Sequence, residues 1–166
     1  ISLDVVAQDG MRVRANAGKS SFRRQPTLEE LQKQASEHLE RLQEENENES
    51  SRQAANAREQ AAQERAARER QERIEEALRQ QKELAEQREK RKKGDGKTAR
   101  VSTTDPDARN MKMANGGFDP ALNVQFATDA KTRIIVGVDV TNEGTDGGQM
   151  PPMMDKLESN YGKRPK

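Results

Sequence analysis

The chain has 166 residues, of which 30% are hydrophobic, 2% aromatic and 36% charged, and its mean hydropathy is −1.21. Ordinary soluble domains are nearer half apolar, so this composition argues against one large core. A formal net charge of +1 gives no global polyanion-binding signature, the lack of Cys excludes disulfides and thiolate zinc sites, and no apolar run is long enough to span a membrane or to read as a signal peptide.

Residues 1–26 read as one or two short strands followed by a basic loop. The apolar run Leu3–Gln8 ends at Asp9-Gly10, and an alternating pattern resumes from Met11 to Ala17. A carboxylate at a strand end beside a Gly suits a metal ligand in phosphoryl-transfer chemistry. Asp-Gly is equally a common turn pair. Gly18–Pro26 carries Lys19, Arg23 and Arg24 and ends in a Pro that stops any preceding element.

Residues 27–93 contain no Gly or Pro and read as helical. Thr27-Leu28-Glu29-Glu30 has the pattern of a capping box. Leu28, Leu31, Ala35, Leu39 and Leu42 then form a stripe at helical spacing. The stripe stops at the polar stretch 44–51, and a second helical pattern carries Ala54, Ala57, Ala61, Ile74, Ala77, Leu78, Leu84 and Ala85. Lys90–Lys93 and Gly94 supply cations and a stop at its end. From Leu28 to Glu49 eight Glu face Lys33 and Arg41, net −6; from Arg52 to Lys93 nine Glu face thirteen Lys and Arg, net +4. One straight helix over this segment would be roughly 100 Å long. The opposite charges favour an antiparallel, coiled-coil-like hairpin bent at about 46–52, with the register open.

Residues 94–166 turn at Asp95-Gly96 and Asp105-Pro106-Asp107. Ala121–Thr128 and Arg133–Thr141 read as an antiparallel hairpin around the turn 129–132. Gly144–Gly148 breaks it. Met150, Met153, Met154 and Leu157 follow at helical spacing, with Pro151 and Pro152 tolerable in a first turn. The order is strand, long helical segment, strand, strand, helix. The chain begins within a strand-like pattern and ends without a closing element, which reads as a piece of a longer protein.

On residue pattern alone Asp139 is a solvent-facing strand residue, Asp146 a loop or N-cap residue, and His38 a surface or seam residue. The Met cluster reads as packing, and Lys90–Lys93 as a solvated charge run. Pattern alone therefore points to Asp9 and no further. Two stretches then resemble the bacterial insertion-sequence transposases of the DDE class. One is Val6-Ala7-Gln8-Asp9-Gly10-Met11-Arg12-Val13-Arg14-Ala15-Asn16-Ala17-Gly18. The other runs from Met111-Lys112-Met113-Ala114-Asn115-Gly116-Gly117-Phe118 through Asn123-Val124-Gln125 and Ile135–Asn142 to Asp146-Gly147-Gly148-Gln149-Met150. Met11 stands where that family has Thr, and Leu122 where it has an aromatic.

The resemblance implies a partial ribonuclease-H-like mixed α/β sheet, interrupted by the helical hairpin as an insertion. Its divisions would be a first strand and basic loop (1–26), the insertion (27–93), and a β-hairpin plus helix (94–166). Asp9 would be the first of three catalytic carboxylates and a ligand of Mg²⁺ or Mn²⁺, its partners lying beyond Lys166. The implied chemistry is metal-dependent DNA cleavage and strand transfer at transposon ends, by a self-associating protein of the bacterial cytoplasm with no membrane partner. Such a piece would be inactive alone. Arg12, Arg14, Lys19, Arg23, Arg24 and Lys112 are the candidate DNA contacts. The competing expectation is a non-catalytic coiled-coil interaction protein with a small β appendage. The ordered motifs on both sides of the helices argue against it.

Overall fold

The computed structural model describes residues 3–48 and 54–165, the side chains of 46–48 and 54–56 excepted. Its elements are β1 (Val6–Arg14), β2 (Phe22–Arg23), α1 (Gln25–Asn48), α2 (Ala54–Arg91), β3 (Val101–Ser102), β4 (Arg109–Lys112), β5 (Phe118–Asp129), β6 (Ile135–Thr141) and α3 (Met150–Tyr161). They form two compact units, Ile1–Asn16 with Ala108–Lys166, and Ala17–Asp107. The basic loop and the turns after α2 thus belong with the helices.

In the first unit, β5 is central. It pairs with β1 along one edge and with β4 and β6 along the other, leaving β1 at the margin of the sheet. Every pairing among the described residues is antiparallel, so the fold is mixed α/β but the expected mixed sheet is not seen. The β5–β6 hairpin turns where the sequence places it. Asp129 accepts the Lys131 amide at 3.1 Å through Oδ1 and the Thr132 hydroxyl at 2.8 Å through Oδ2. This side-chain-built turn lets Arg133 take a φ of 59°. The β4–β5 hairpin was not legible: β4 is four residues long, and its turn closes through Gly116 at φ 84°.

Register sorts the sheet into two faces. Gln8, Gly10 and Arg12 lie opposite Ala127, Gln125 and Asn123, and these lie opposite Gly137, Asp139 and Thr141. Helix α3 covers this face. Met153 and Leu157 pack with Leu3, Ala127 and Val136, and a Cβ at Gly137 would stand 2.9 Å from Met153 Sδ. The α3 expectation holds, including the two prolines in its first turn. The other face carries Ala7, Asp9, Met11 and Val13, then Leu122, Val124 and Phe126, then Val138 and Val140. It remains open: Met11, Val138 and Val140 are 54%, 43% and 55% exposed.

In the second unit, α1 and α2 form the expected antiparallel hairpin. Leu28 packs on Ala77 and Leu78, whereas Ser36 accepts a 3.5 Å hydrogen bond from Gln71. Moving forward along α1 therefore means moving back along α2, which fixes the register. The stripe faces the seam, with Leu28 and Ala35 buried and Leu31, Leu39 and Leu42 half-buried. The expected bend at 46–52 falls largely outside the described residues.

The start of α1 differs from the capping-box expectation. The helix begins at Gln25, and the Arg24 carbonyl accepts the Thr27 and Leu28 amides at 3.1 Å each. Pro26, with no N–H to lose and a preset φ, fits a first turn, so Thr27 lies inside the helix. Beyond α2, Gly94 adopts a left-handed φ of 86°. Glu89 accepts the Gly94 amide at 2.8 Å and the Gly96 amide at 3.2 Å. β2 and β3 pair beside this end, and Ser21 and Ser102 share a 2.8 Å hydroxyl contact.

Candidate functional site

Asp9 is in the middle of β1, not at a strand end, and pairs with Phe126. Asp9-Gly10 makes no turn. The reason lies on the helix-covered face, where a Cβ at Gly10 would come within 2.0 Å of Asp146 Oδ1 and 2.2 Å of Gln125 Nε2. Gly10 is required for close approach of two polar side chains, and the strand runs on through it.

Asp146 belongs to the Gly-rich loop before α3. Its Oδ1 accepts hydrogen bonds from Asn123 Nδ2 at 2.9 Å and from Gln125 Nε2 at 2.7 Å. Gln125 in turn accepts from Gln8 Nε2 at 2.8 Å. Asn123 also donates to the Glu143 carbonyl at 3.2 Å, and Arg12 donates to the Gly144 carbonyl at 2.9 Å. Asn123 and Gln125 are 0% and 1% exposed. Their donated hydrogen bonds, Asn123 first, and then the positive field of Arg12 hold the Asp146 carboxyl below the usual range. Gln8 Oε1, Arg12 Nε and Asn123 Oδ1 are buried in this network without a protein partner. The result is a latch tying β1, β5 and the loop together across Gly10.

Neighbouring residues along a strand point to opposite faces, so the latch lies behind Asp9 and the Asp9 carboxylate stands on the open apolar face. Asp9 is exposed, and its Oδ1 accepts the Gly10 amide at 2.9 Å. Asp139 does not join it. It lies on the helix-covered face, half-buried in a 2.7 Å ion pair with Lys156, so the solvent-facing reading of Asp139 is corrected. Asp146 also lies on the far side of β1 from Asp9. It is a loop residue, one of the two expected readings, and not an N-cap, since α3 begins after Gln149 with no side-chain cap bond.

Among the described residues no group of three or more His, Asp or Glu side chains is placed to hold a metal ion. A hard divalent cation takes several oxygen ligands. Asp9 alone does not fit that demand, so the described residues do not by themselves make up a metal centre. His38 is exposed, with Arg41 Nη2 3.4 Å from its Nδ1, consistent with a surface residue.

The six basic candidates are divided between the units. Arg12 is half-buried in the latch, and Arg14 pairs with Asp119 at 3.1 Å while staying 68% exposed. Lys112 is exposed on β4. In the helical unit Lys19 lies in a 3-10 turn, Arg23 donates to the carbonyls of Ser20 and Phe22, and Arg24 stands just before α1. Arg12 is thus removed from the set of simple surface cations. The sequence reading missed the roles of Gln8, Asn123, Gln125 and Asp146. The available signal was buried polar residues at alternate positions of an otherwise apolar strand.

Comparisons with protein-family models, curated proteins and solved structures find no match. Among the described residues no helix is long and apolar enough to cross a membrane.

Proposed function

We propose that this chain is part of the catalytic region of an insertion-sequence DDE transposase and supplies its first carboxylate, Asp9. The observation that carries the reading is the placement of Asp9. It is an exposed carboxylate at the centre of an ordered strand, on an uncovered face, with a polar latch anchoring the backbone immediately behind it. The element order also supports the reading: a strand carrying Asp9, a helical insertion, then an antiparallel strand pair and a helix packed on the sheet.

Asp9 does not complete a catalytic site. The reading requires further carboxylates from chain outside residues 1–166, and this chain alone is expected not to cleave DNA. Its own contribution is to hold one carboxylate in an ordered strand and to offer the edge of β1, unpaired among the described residues, for continued sheet pairing. Arg14, Lys112 and the cations of the helical unit would contribute salt-sensitive phosphate contacts. The test is excision and strand transfer by a complete reading frame that carries this segment. Asp9→Asn should abolish both while retaining DNA binding. Full activity of that variant, or Mg²⁺-dependent cleavage by residues 1–166 alone that Asp9→Ala abolishes, would overturn the reading.

A further inference from the structure

Within the helical unit, a cavity of about 580 Å³ opens where α1 begins beside the C-terminal part of α2. That volume lies in the usual range of small-ligand sites. Pro26 and Ala85 give it apolar wall, Arg24 and Lys97 bring two cations, and Glu86 and Glu89 bring two carboxylates, of which Glu89 is already occupied by the Gly94 and Gly96 amides. Neither cation forms an ion pair among the described residues. The positive end of the α1 dipole lies at the same place, which favours an anion there.

A second observation is independent of the helix terminus. Gln81 lines the cavity, is only 3% exposed, and its Oε1 has no hydrogen-bond partner. A buried carboxamide oxygen left unpaired is costly. Gln81 follows Ala77 and Leu78 by one helical turn, a position where the seam takes apolar residues. Leu or Met would fill it without that cost. A carboxamide presents an acceptor and a donor side by side, which is the pattern that reads the paired donor and acceptor on a nucleobase edge.

We propose that this cavity binds a nucleoside phosphate. The phosphate meets Arg24, Lys97 and the start of α1; the base lies along Pro26 and Ala85 with its edge towards Gln81; and Glu86 accepts from the sugar 3′-hydroxyl. A bare inorganic anion would leave both the cavity volume and Gln81 unused. All of these residues lie in Ala17–Asp107, so the inference stands apart from the transposase reading of Asp9 and can fail or succeed without it.

Calorimetric titration of the chain with dAMP, dGMP, dCMP and dTMP tests it, with the matching nucleosides and inorganic phosphate as controls. At least one nucleotide should bind saturably and about tenfold or more tighter than either control. Gln81→Leu should weaken that binding about tenfold and erase the preference among bases. The Arg24→Ala/Lys97→Ala pair should reduce the nucleotide to the level of its nucleoside. Both substituted cations are exposed, so this variant carries the test if Gln81→Leu fails to fold. A shift of the Gln81 side-chain amide resonances on titration gives a further readout. A 5′-phosphorylated oligonucleotide with an unpaired end separates a strand terminus from a free nucleotide as the natural source, since tighter binding of one identifies it. Equal affinity for nucleotides and phosphate, no saturable binding at millimolar concentration, or binding indifferent to both variants would overturn the proposal.

Discussion

The two units bury different chemistry. In the sheet unit the large side chains with no exposed surface include Gln125, Asn123 and Asp129 beside Met153 and Leu157. In the helical unit Leu28 and Val101 hold the corresponding places beside the small Ser102, packed with Ala77 and Leu78, and Gln80 and Gln81 are its buried amides. A chain short of apolar residues has made one small, largely aliphatic seam and one sheet whose interior admits two amides and a carboxylate among its apolar side chains. The seam depends on volume being filled. The sheet interior depends on the hydrogen bonds that Asn123 and Gln125 donate to Asp146, because a buried amide stripped of its acceptor costs about 1–3 kcal/mol. The same shortage leaves the second face of the sheet uncovered, and Asp9 stands on that face.

Leu28→Ala should give the largest effect, about 2–5 kcal/mol, because it removes a fully buried side chain from a small cluster. Urea unfolding followed by helical circular dichroism measures it. If the contrast between the units is sound, NMR signals of Met153 and Leu157 should stay native at urea concentrations where the variant's helices have melted. Loss of both together would remove the contrast.

Gly10→Ala comes next, at about 2–3 kcal/mol. The added methyl collides with Asp146 and Gln125, and displacing them strips Asn123 and Gln125 of their acceptor. Gly144→Ala, in the same loop region but with nothing near its would-be Cβ, should stay within about 0.5 kcal/mol. Similar midpoints for the two variants would show that Gly10 is not a close-approach position.

Acidification should show a smaller, signed effect. The folded Asp146 carboxyl titrates below its ordinary value, so its contribution is present above the unfolded-state pKa. It is lost as pH falls through the lower folded value. The parent should therefore lose stability in the acid range more steeply than Asp146→Asn, and a parallel pH profile for the two would refute the latch.

Period-2 alternation made β5 and β6 readable, and the apolar stripes made α1, α2 and α3 readable, because each pattern states which face must be buried. The places that misled were those decided by distant partners. Asp9-Gly10 has a local preference for turning, yet Gln125 and Asp146 hold it straight from more than a hundred positions away. Asp139 looked solvent-facing because its partner Lys156 lies on the next helix. Thr27 had the spacing of a cap, but Pro26 allowed the helix to begin earlier. Residue type and resemblance singled out Asp9 as the proposed site residue, whereas the network behind it was not legible, since no local rule pairs an amide on a strand with a loop carboxylate 21 or 23 residues later.

Asp9 is proposed to serve function, whereas the latch serves the fold. The unfolding free energy of Asp9→Asn tests this directly. The side chain is exposed and its described hydrogen bond is to the adjacent amide, so the variant should unfold within about 0.5 kcal/mol of the parent. A loss of about 2 kcal/mol or more would place Asp9 among the residues that hold the sheet together and contradict its assignment as a free catalytic carboxylate.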